Sequence, residues 1–208
     1  MKNIILVGNG GHSKVIADII QLSNEYNLCG YLDQKYEKKE ISNGLIFDNI
    51  DNFKNYVKDY YFFIAIGNNK IRKKIHEKLN LPNEKYAILI HPSAVIGSNV
   101  NIGFGTVVMG NVVINASTNI GDQCIINTLA SVGHDITIKD FVHISPNSTL
   151  TGGVFIDEGT QIGAGACLIP CIKVGKNSVV GAGSTVVTNV SNNKLVVGSP
   201  AKVKKEIN

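Results

Sequence analysis

Between Val95 and Val190 the chain divides into sixteen uninterrupted blocks of six residues, and the second residue of every block is aliphatic. In order these are Ile96, Ile102, Val108, Ile114, Ile120, Ile126, Val132, Ile138, Ile144, Leu150, Ile156, Ile162, Leu168, Val174, Val180 and Val186. An α-helix repeats its apolar face about every 3.6 residues and a half-buried strand every 2. A strict period of six belongs instead to short parallel strands stacked rung upon rung. Four residues after each aliphatic stands a small or β-branched residue, as at Val100, Thr106, Val112, Thr118, Cys124 and Ala130, then onward to Ser184 and Val190. Such residues fill the corners of a narrow interior. The position just before them is Gly or Asn in most blocks (Asn99, Gly105, Asn111, Asn147, Gly153, Gly159, Gly165, Asn177, Gly183, Asn189) and Asp135 once. These types tolerate the positive φ of a tight bend.

Before the period begins, near residue 92, the pattern is of another kind. Lys2-Asn3-Ile4-Ile5-Leu6-Val7 predicts a buried parallel strand, Gly8-Asn9-Gly10-Gly11-His12-Ser13 a glycine loop, and Val15, Ile16, Ile19 and Ile20 the apolar face of a helix. Further strands are predicted over Leu28 to Leu32, ending at Asp33, and over Tyr60 to Ile66, ending at Gly67. Helical stretches fall near Ile50 to Val57 and Asn69 to Leu79, and Tyr86 to Ile90 closes the series. The βαβαβαβ-like order predicts an open, Rossmann-like α/β sheet over residues 1–91, followed by the repeat domain over 92–208. In such a sheet the ligand binds beyond the carboxyl ends of the strands, where Gly10, Gly11, Asp33 and Gly67 would converge. A dinucleotide fingerprint is incomplete, because Ser13 stands where its third glycine would fall. The loop can still bring backbone N–H groups to a phosphate at a helix N-terminus, or be a tight turn without a ligand.

A formal charge of +4, with only a small cluster at Lys202, Lys204 and Lys205, argues against a nucleic-acid partner and mildly favours anionic small ligands. No apolar run approaches the roughly 20 residues of a membrane span, and Met1 to Val7 is too short for a secretory signal, so a cytoplasmic protein without membrane insertion is expected. Cys29, Cys124, Cys167 and Cys171 lack metal-ligand or redox spacing and are assigned to packing.

Two histidines lie in the repeat. His134, two residues beyond an inward aliphatic and directly before Asp135, is either a solvated side chain or a base. The neighbouring acid favours the base, since a carboxylate that holds one ring nitrogen frees the other. His143 follows nine residues later. His12 lies on the glycine loop, His91-Pro92 marks the domain junction, and His76 is placed on the surface of a Lys-rich helix.

The period, the small inward residues and the bends together resemble the hexapeptide-repeat left-handed β-helix, a triangular prism with three blocks per coil. With them stand Gly8-Asn9-Gly10-Gly11-His12-Ser13-Lys14, Phe62-Phe63-Ile64-Ala65-Ile66-Gly67-Asn68-Asn69 with Ile71-Arg72-Lys73-Lys74, Ser131 to Asp135, and Val197-Gly198-Ser199-Pro200-Ala201-Lys202. The whole chain resembles the sugar acetyltransferases of bacterial glycan biosynthesis, which include sialic acid O-acetyltransferases and nucleotide 4-amino-sugar N-acetyltransferases. It is most similar to the UDP-4-amino-sugar enzymes of the bacillosamine pathway. The resemblance implies a homotrimer, a nucleotide-sugar on the N-terminal domain, and acetyl-CoA as cosubstrate in a groove between neighbouring prisms, with no metal. It implies His134 as catalytic base and Asp135, where relatives often carry Glu, as its acidic partner. Asn127 and His12 would surround the acceptor amine, and Gly10, Gly11, His12, Asp33 and Gly67 would contact the nucleotide-sugar. His143, Gly152, Ala164 and Ala182 would contact the thioester and pantetheine arm. In an acetyl transfer by this base, the Gly152 amide is the candidate oxyanion donor. Two other functions remain open, O-acetylation of a sialic-acid-like sugar by the same base and a non-catalytic ligand-binding scaffold. A metal-dependent prism enzyme would need three converging histidines, and the prism has two.

Overall fold

The structure, a computed structural model, describes residues 1–207. The chain separates into two compact units, Met1–Pro92 and a second that begins at Ser93.

The first unit runs β1 (Lys2–Val7), α1 (Gly11–Ser23), β2 (Tyr26–Leu32), β3 (Glu40–Ser42), β4 (Leu45–Asp48), β5 (Tyr61–Ile64) and α2 (Asn69–Leu79). The sheet order is β3-β4-β2-β1-β5, with β1 between β2 and β5 in parallel and β2 parallel to β4. That central place explains the unbroken apolar run Ile4, Ile5, Leu6 and Val7, all fully buried: a parallel strand covered on both faces has no polar side. Four expectations need correction here. Glu40–Asp48 forms an antiparallel hairpin that the strand reading overlooked, turning at Asn43 and Gly44, both at positive φ. An Asn-Gly pair is the favoured two-residue hairpin turn. The stretch after Asn49 is a 3-10 helix over Ile50–Asn55, capped by the Asn49 side chain on Asp51 N–H, rather than an α-helix to Val57. The last strand shrinks to Leu89–Ile90, with Tyr86 making a single parallel bridge to Phe62. His76 is not a free surface residue, because its ring packs on Tyr86 with centroids 4.9 Å apart.

The second unit carries the sixteen two-residue strands from Val95–Ile96 to Thr185–Val186, one per block. From Val95–Ile96 to Cys167–Leu168 each pairs in parallel with the strand eighteen residues on, as in Val113↔Ser131, Asn119↔Thr137 and Ile125↔His143. Three blocks therefore make one coil, and three flat faces result. The first face stacks Val95, Val113, Ser131, Thr149, Cys167 and Thr185, and the second Asn101, Asn119, Thr137, Phe155 and Lys173. The third stacks Val107, Ile125, His143, Gln161, Val179 and Leu195, and ends in an antiparallel edge strand, Ala201–Glu206.

The inward aliphatics are buried from Val108 to Val186, and only Ile96 and Ile102 of the open first coil remain partly exposed. Each buried side chain of this size contributes roughly 1.5–3 kcal/mol of transfer free energy. The bends sit where the sequence places them: all fifteen corner positions from Asn99 to Gly183 have φ between 55° and 70°. Leu129, Phe141 and Cys171 accept the same backbone state without being Gly or Asn. The run ends at Asn189, which has no left-handed bend. Val174 bridges Val190 and Val180 pairs with Val196, sixteen residues apart, so the last coil is shorter and its corner is drawn tight. The Asn189 side chain accepts the Lys173 N–H at 2.8 Å there instead.

Polar residues inside the prism are explained by the bends. A corner leaves a carbonyl facing inward, and a hydroxyl fifteen residues earlier supplies its donor. Thr106, Thr118 and Thr160 Oγ1 donate to the carbonyls of Gly121, Gly133 and Gly175 at 2.8–2.9 Å. Of the cysteines, Cys124 does pack inward, with Sγ 3.1 Å from the Lys139 carbonyl, but Cys171 is exposed and does not pack. Among the described residues no helix is long and apolar enough to cross a membrane.

Thr106 Oγ1 also accepts the Cys124 N–H at 2.9 Å, so Thr106→Val removes a donor and an acceptor from a fully buried site at constant shape. The expected loss is about 1–3 kcal/mol of stability, read as a lower midpoint of thermal unfolding by circular dichroism. An unchanged midpoint would contradict this account of the interior hydroxyls.

Candidate functional site

In the first unit the carboxyl ends of β1, β2 and β5 meet the N-termini of α1 and α2. Asp33, just past β2, orders the glycine loop. Its Oδ2 accepts the Asn9 N–H at 2.7 Å and its Oδ1 the Lys35 N–H at 3.1 Å, while Lys35 Nζ donates to the Asn9 carbonyl at 2.7 Å. The α1 N-terminus has no side-chain cap, so its first amides face outward from Gly10 and Gly11. A Cβ at either glycine would meet no protein atom within 4 Å. Packing inside the chain therefore does not require glycine at either position. A cleft of about 110 Å³ opens beside Gly8, lined by Ile50, Ile66, Ile71 and Ile75 together with Asp33 and Gln34.

His12 stands in the first turn of α1, with Nε2 fully buried and without a partner among the described residues. Burial, then the positive charge of Arg72, lowers its pKa to about 4, so the ring is neutral at pH 7. Arg72 is itself buried. Its guanidinium donates to the Ile66 and Gly67 carbonyls at 3.0 and 3.1 Å and to Asn69 Oδ1 at 2.8 Å. One cation thus holds the turn after β5, Gly67 included, in a fixed shape.

In the second unit His134 and Asp135 occupy the corner that follows the first face. Asp135 Oδ2 lies 2.6 Å from His134 Nδ1, so the shorter acid reaches the ring in full. Both side chains are about two-thirds exposed. One coil on, at the same corner, is Gly152. A Cβ there would lie 2.7 Å from His134 Cε1 and Nε2, so the ring occupies the space a side chain would take. Glycine at 152 is the steric condition for this His134 rotamer.

Asn127 and His143 meet elsewhere, at the edge of the third face. Asn127 Oδ1 accepts the Thr128 N–H at 2.8 Å, which turns Nδ2 toward His143 Nε2 at 3.0 Å. That amide orientation makes Nε2 the acceptor and leaves the ring proton on Nδ1. Above this pair the same corner repeats Gly163-Ala164-Gly165 and Gly181-Ala182-Gly183, one coil apart. Gly163 admits no Cβ, since one would lie 2.5 Å from Ala182 N. The result is a smooth strip with Ala164 and Ala182 exposed along it.

The structure thus brings the sequence-derived residues into three groups: Gly10, Gly11, His12, Asp33 and Gly67; His134, Asp135 and Gly152; and Asn127, His143, Ala164 and Ala182. The last two groups lie at different corners of the prism, so Gly152 does not share the strip with the alanines.

Residues 3–79 match the model of the PglD N-terminal domain. A mutant perosamine N-acetyltransferase of Caulobacter crescentus, solved with CoA and GDP-perosamine, is 32% identical with a TM-score of 0.87, covering 99% of this chain and 98% of that one. The acetyltransferase domain of PglB from Neisseria gonorrhoeae, solved with acetyl coenzyme A, is 31% identical with a TM-score of 0.88 over 97% and 98%. The chain belongs to the hexapeptide-repeat sugar acetyltransferase family. The fold is accordingly a Rossmann-like domain followed by a left-handed β-helix. The UDP-N-acetylbacillosamine N-acetyltransferase of Bacillus subtilis is 40% identical over 113 residues, so the chain spans about half the length of that curated relative.

Among the described residues no cluster of three His, Cys, Asp or Glu side chains is arranged to hold a metal ion. Sequence reading noted Arg72 only within the stretch Ile71-Arg72-Lys73-Lys74 and gave it no role, and it missed the glycine strip. The signal for the strip was present as the same Gly-Ala-Gly triplet eighteen residues apart.

The buried neutral His12 has a pH signature. Its folded pKa lies below the ordinary 6.5, so as pH falls from about 6.5 toward 4 the unfolded chain takes up a proton that the folded unit refuses. Stability of the first unit should fall by roughly 3 kcal/mol across that window, and His12→Gln should flatten the fall. All seven tyrosines lie in this unit, so urea unfolding followed by tyrosine fluorescence at pH 7 and 4.5 reads it selectively. An equal fall in the variant would remove His12 as the cause.

Proposed function

We propose that the chain is an acetyl-CoA-dependent N-acetyltransferase that acetylates the 4-amino group of a nucleotide-linked 4-amino-4,6-dideoxy sugar for bacterial glycan biosynthesis. The observation that carries this reading is the His134–Asp135–Gly152 corner, a base with its orienting acid in a notch where only glycine fits. The perosamine and PglB relatives, solved with CoA or acetyl coenzyme A, support the cosubstrate. For the nucleotide we propose UDP, a reading supported by the Bacillus relative named for UDP-N-acetylbacillosamine, which is 40% identical over 113 residues.

The acceptor's diphosphate would sit on the open amides of α1 at Gly10 and Gly11, where the helix dipole and unsatisfied N–H groups favour negative charge. Its flat base would enter the cleft between Ile50, Ile66, Ile71 and Ile75, beside Asp33 and Gln34. Asp135 holds the Nδ1 proton of His134, so Nε2 is the free base. The sugar amine attacks the acetyl carbonyl carbon while giving its proton to Nε2. The tetrahedral intermediate collapses with cleavage of the C–S bond, and the CoA thiolate leaves. The Gly152 N–H, which finds no acceptor among the described residues, would donate to the oxyanion, a contact worth about 3 kcal/mol when preorganised.

The two polar groups of the prism lie at different corners of one chain, so a complete site calls for the edge of a second copy. We propose a homotrimer in which acetyl-CoA lies between neighbouring prisms, against His143, Ala164 and Ala182. Exposed apolar residues on the first face and its preceding corner, Val95, Val113 and Leu129, favour such packing. Location in the cytoplasm accords with these intracellular cosubstrates.

Three measurements test the reading. Thiol release from acetyl-CoA should be fastest with a UDP-4-amino sugar, slower with a GDP-4-amino sugar and absent with free sialic acid, and fastest release with sialic acid would overturn N-acetylation. His134→Ala should lower kcat by at least a hundredfold while the trimer persists in sedimentation, and near-normal turnover would remove His134 as the base. Gly152→Ala should lower kcat by a comparable factor with little change in unfolding midpoint, because its Cβ displaces the imidazole without touching the interior.

A further inference from the structure

Along the prism the residue after each inward aliphatic donates its N–H to a carbonyl one coil on. These bonds measure 2.7–2.9 Å at Gly97, Asn115 and Gly133 and throughout the other two faces. At Thr151 the bond to the Leu168 carbonyl stretches to 3.3 Å, and at Ile169 the bond to the Val186 carbonyl stretches to 3.2 Å. Both long rungs belong to the corner that carries Gly152.

A second donor has taken the Leu168 carbonyl. Thr151 Oγ1 lies 2.7 Å from it, closer than the Thr151 N–H. The side chain is branched at Cβ and stiff at χ1, so with its hydroxyl anchored the residue has little freedom to turn. The next peptide inherits that constraint, because ψ of Thr151 sets the plane of the Thr151–Gly152 amide and with it the direction of the Gly152 N–H. Gly97, Gly121 and Gly133, at the same place in other coils, offer no such anchor. On its far side Gly152 is held by its carbonyl, which accepts the Cys171 N–H at 3.0 Å.

A fixed amide is useful to a ligand only if nothing caps it. At the corner between the second and third faces, the side chain one coil on takes the equivalent amide. Asp122 Oδ1 accepts the Phe104 N–H at 2.7 Å, and Asp140 Oδ1 the Asp122 N–H at 2.9 Å. The residue eighteen on from Gly152 is Pro170, whose side chain carries no acceptor. The Gly152 amide is left open.

We propose that Thr151 is a positioning residue for the acetyl transfer, holding the Gly152 N–H toward the thioester oxygen as that oxygen gains negative charge. The proposal rests on the reading of Gly152 as oxyanion donor given above. Such donors act by being fixed in advance, so loosening one slows the chemical step and leaves ground-state binding alone. The competing account is that the hydroxyl serves the coil only, as Thr160 Oγ1 does on the Gly175 carbonyl. It predicts a lower unfolding midpoint and unchanged turnover.

The test is steady-state thiol release from acetyl-CoA by the full chain with a UDP-4-amino sugar, for wild type and variants. Thr151→Val keeps the shape and loses the hydroxyl. Its kcat should fall about tenfold with KM for acetyl-CoA within about twofold of wild type, and Thr151→Ser should recover most of the loss. Thr160→Val should melt lower with kcat unchanged. Pro170→Asn places an acceptor over the amide, as Asn192 Oδ1 does for the Lys176 N–H at 2.9 Å, and should lower kcat about tenfold, whereas Pro170→Leu should lower it less. A Thr151→Val kcat within about twofold of wild type overturns the proposal and leaves the acetyl-transfer reading intact. So does an equal fall in kcat in Thr160→Val, or a Pro170→Asn turnover no lower than that of Pro170→Leu. Absence of thiol release by wild type with either a UDP- or a GDP-4-amino sugar overturns that reading and Thr151 with it.

Discussion

The eighteen-residue parallel register of the prism is the constraint on which the second unit depends. Each backbone N–H that closes a rung points at a carbonyl one coil away, so residues eighteen apart share an environment whether or not they share chemistry. Interior positions pay for this with small or branched side chains, and corners with left-handed backbone. In return, a column of outward positions becomes a straight line on which polar groups can be set one by one. His134 over Gly152 is one such placement. Gly163 beneath Ala182 is another.

How much could be read in advance follows from what each position has to satisfy. The inward aliphatics and the bends answer to steric demands that recur every six residues, and they are legible because repetition makes a single sequence its own alignment. Asn189 shows the limit. It has the right type for a bend at the right spacing, yet the last coil is two residues short and the bend does not form. His134 and Asp135 were legible because an adjacent acid and imidazole are not required by packing. Gly152 had a visible identity, but its reason, the ring lying over it, depends on a rotamer that no spacing discloses.

The first unit was less legible because its chemistry is shared among groups distant in sequence. Arg72 has no distinctive neighbours along the chain, but in space it ties together the Ile66 and Gly67 carbonyls and Asn69 and adds its charge to the burial that keeps His12 uncharged. The effect is a field. Two helix N-termini and a buried guanidinium converge on one end of the sheet, and the Asp33 carboxylate is occupied in holding the loop amides. A sequence shows the number of charges, whereas the sign of the potential at a point depends on where the fold gathers them.

The edge strand that closes the third face bears on how such a chain can change over time. Because every rung copies the register of the one below, an insertion of one or two residues within a strand would throw the inward column beyond it out of register unless a corner absorbs it, as the corner of the last coil absorbs its two-residue deficit. Growth or loss of whole coils, eighteen residues at once, preserves every column. The spacing between the His134 corner and the terminal strand is therefore quantised, adjustable only in steps of one strand separation. A lineage that needed a longer or shorter prism could not drift toward it by small deletions. It would have to duplicate or drop a complete turn of the helix, or loop the extra residues out at a corner where the ladder is left undisturbed.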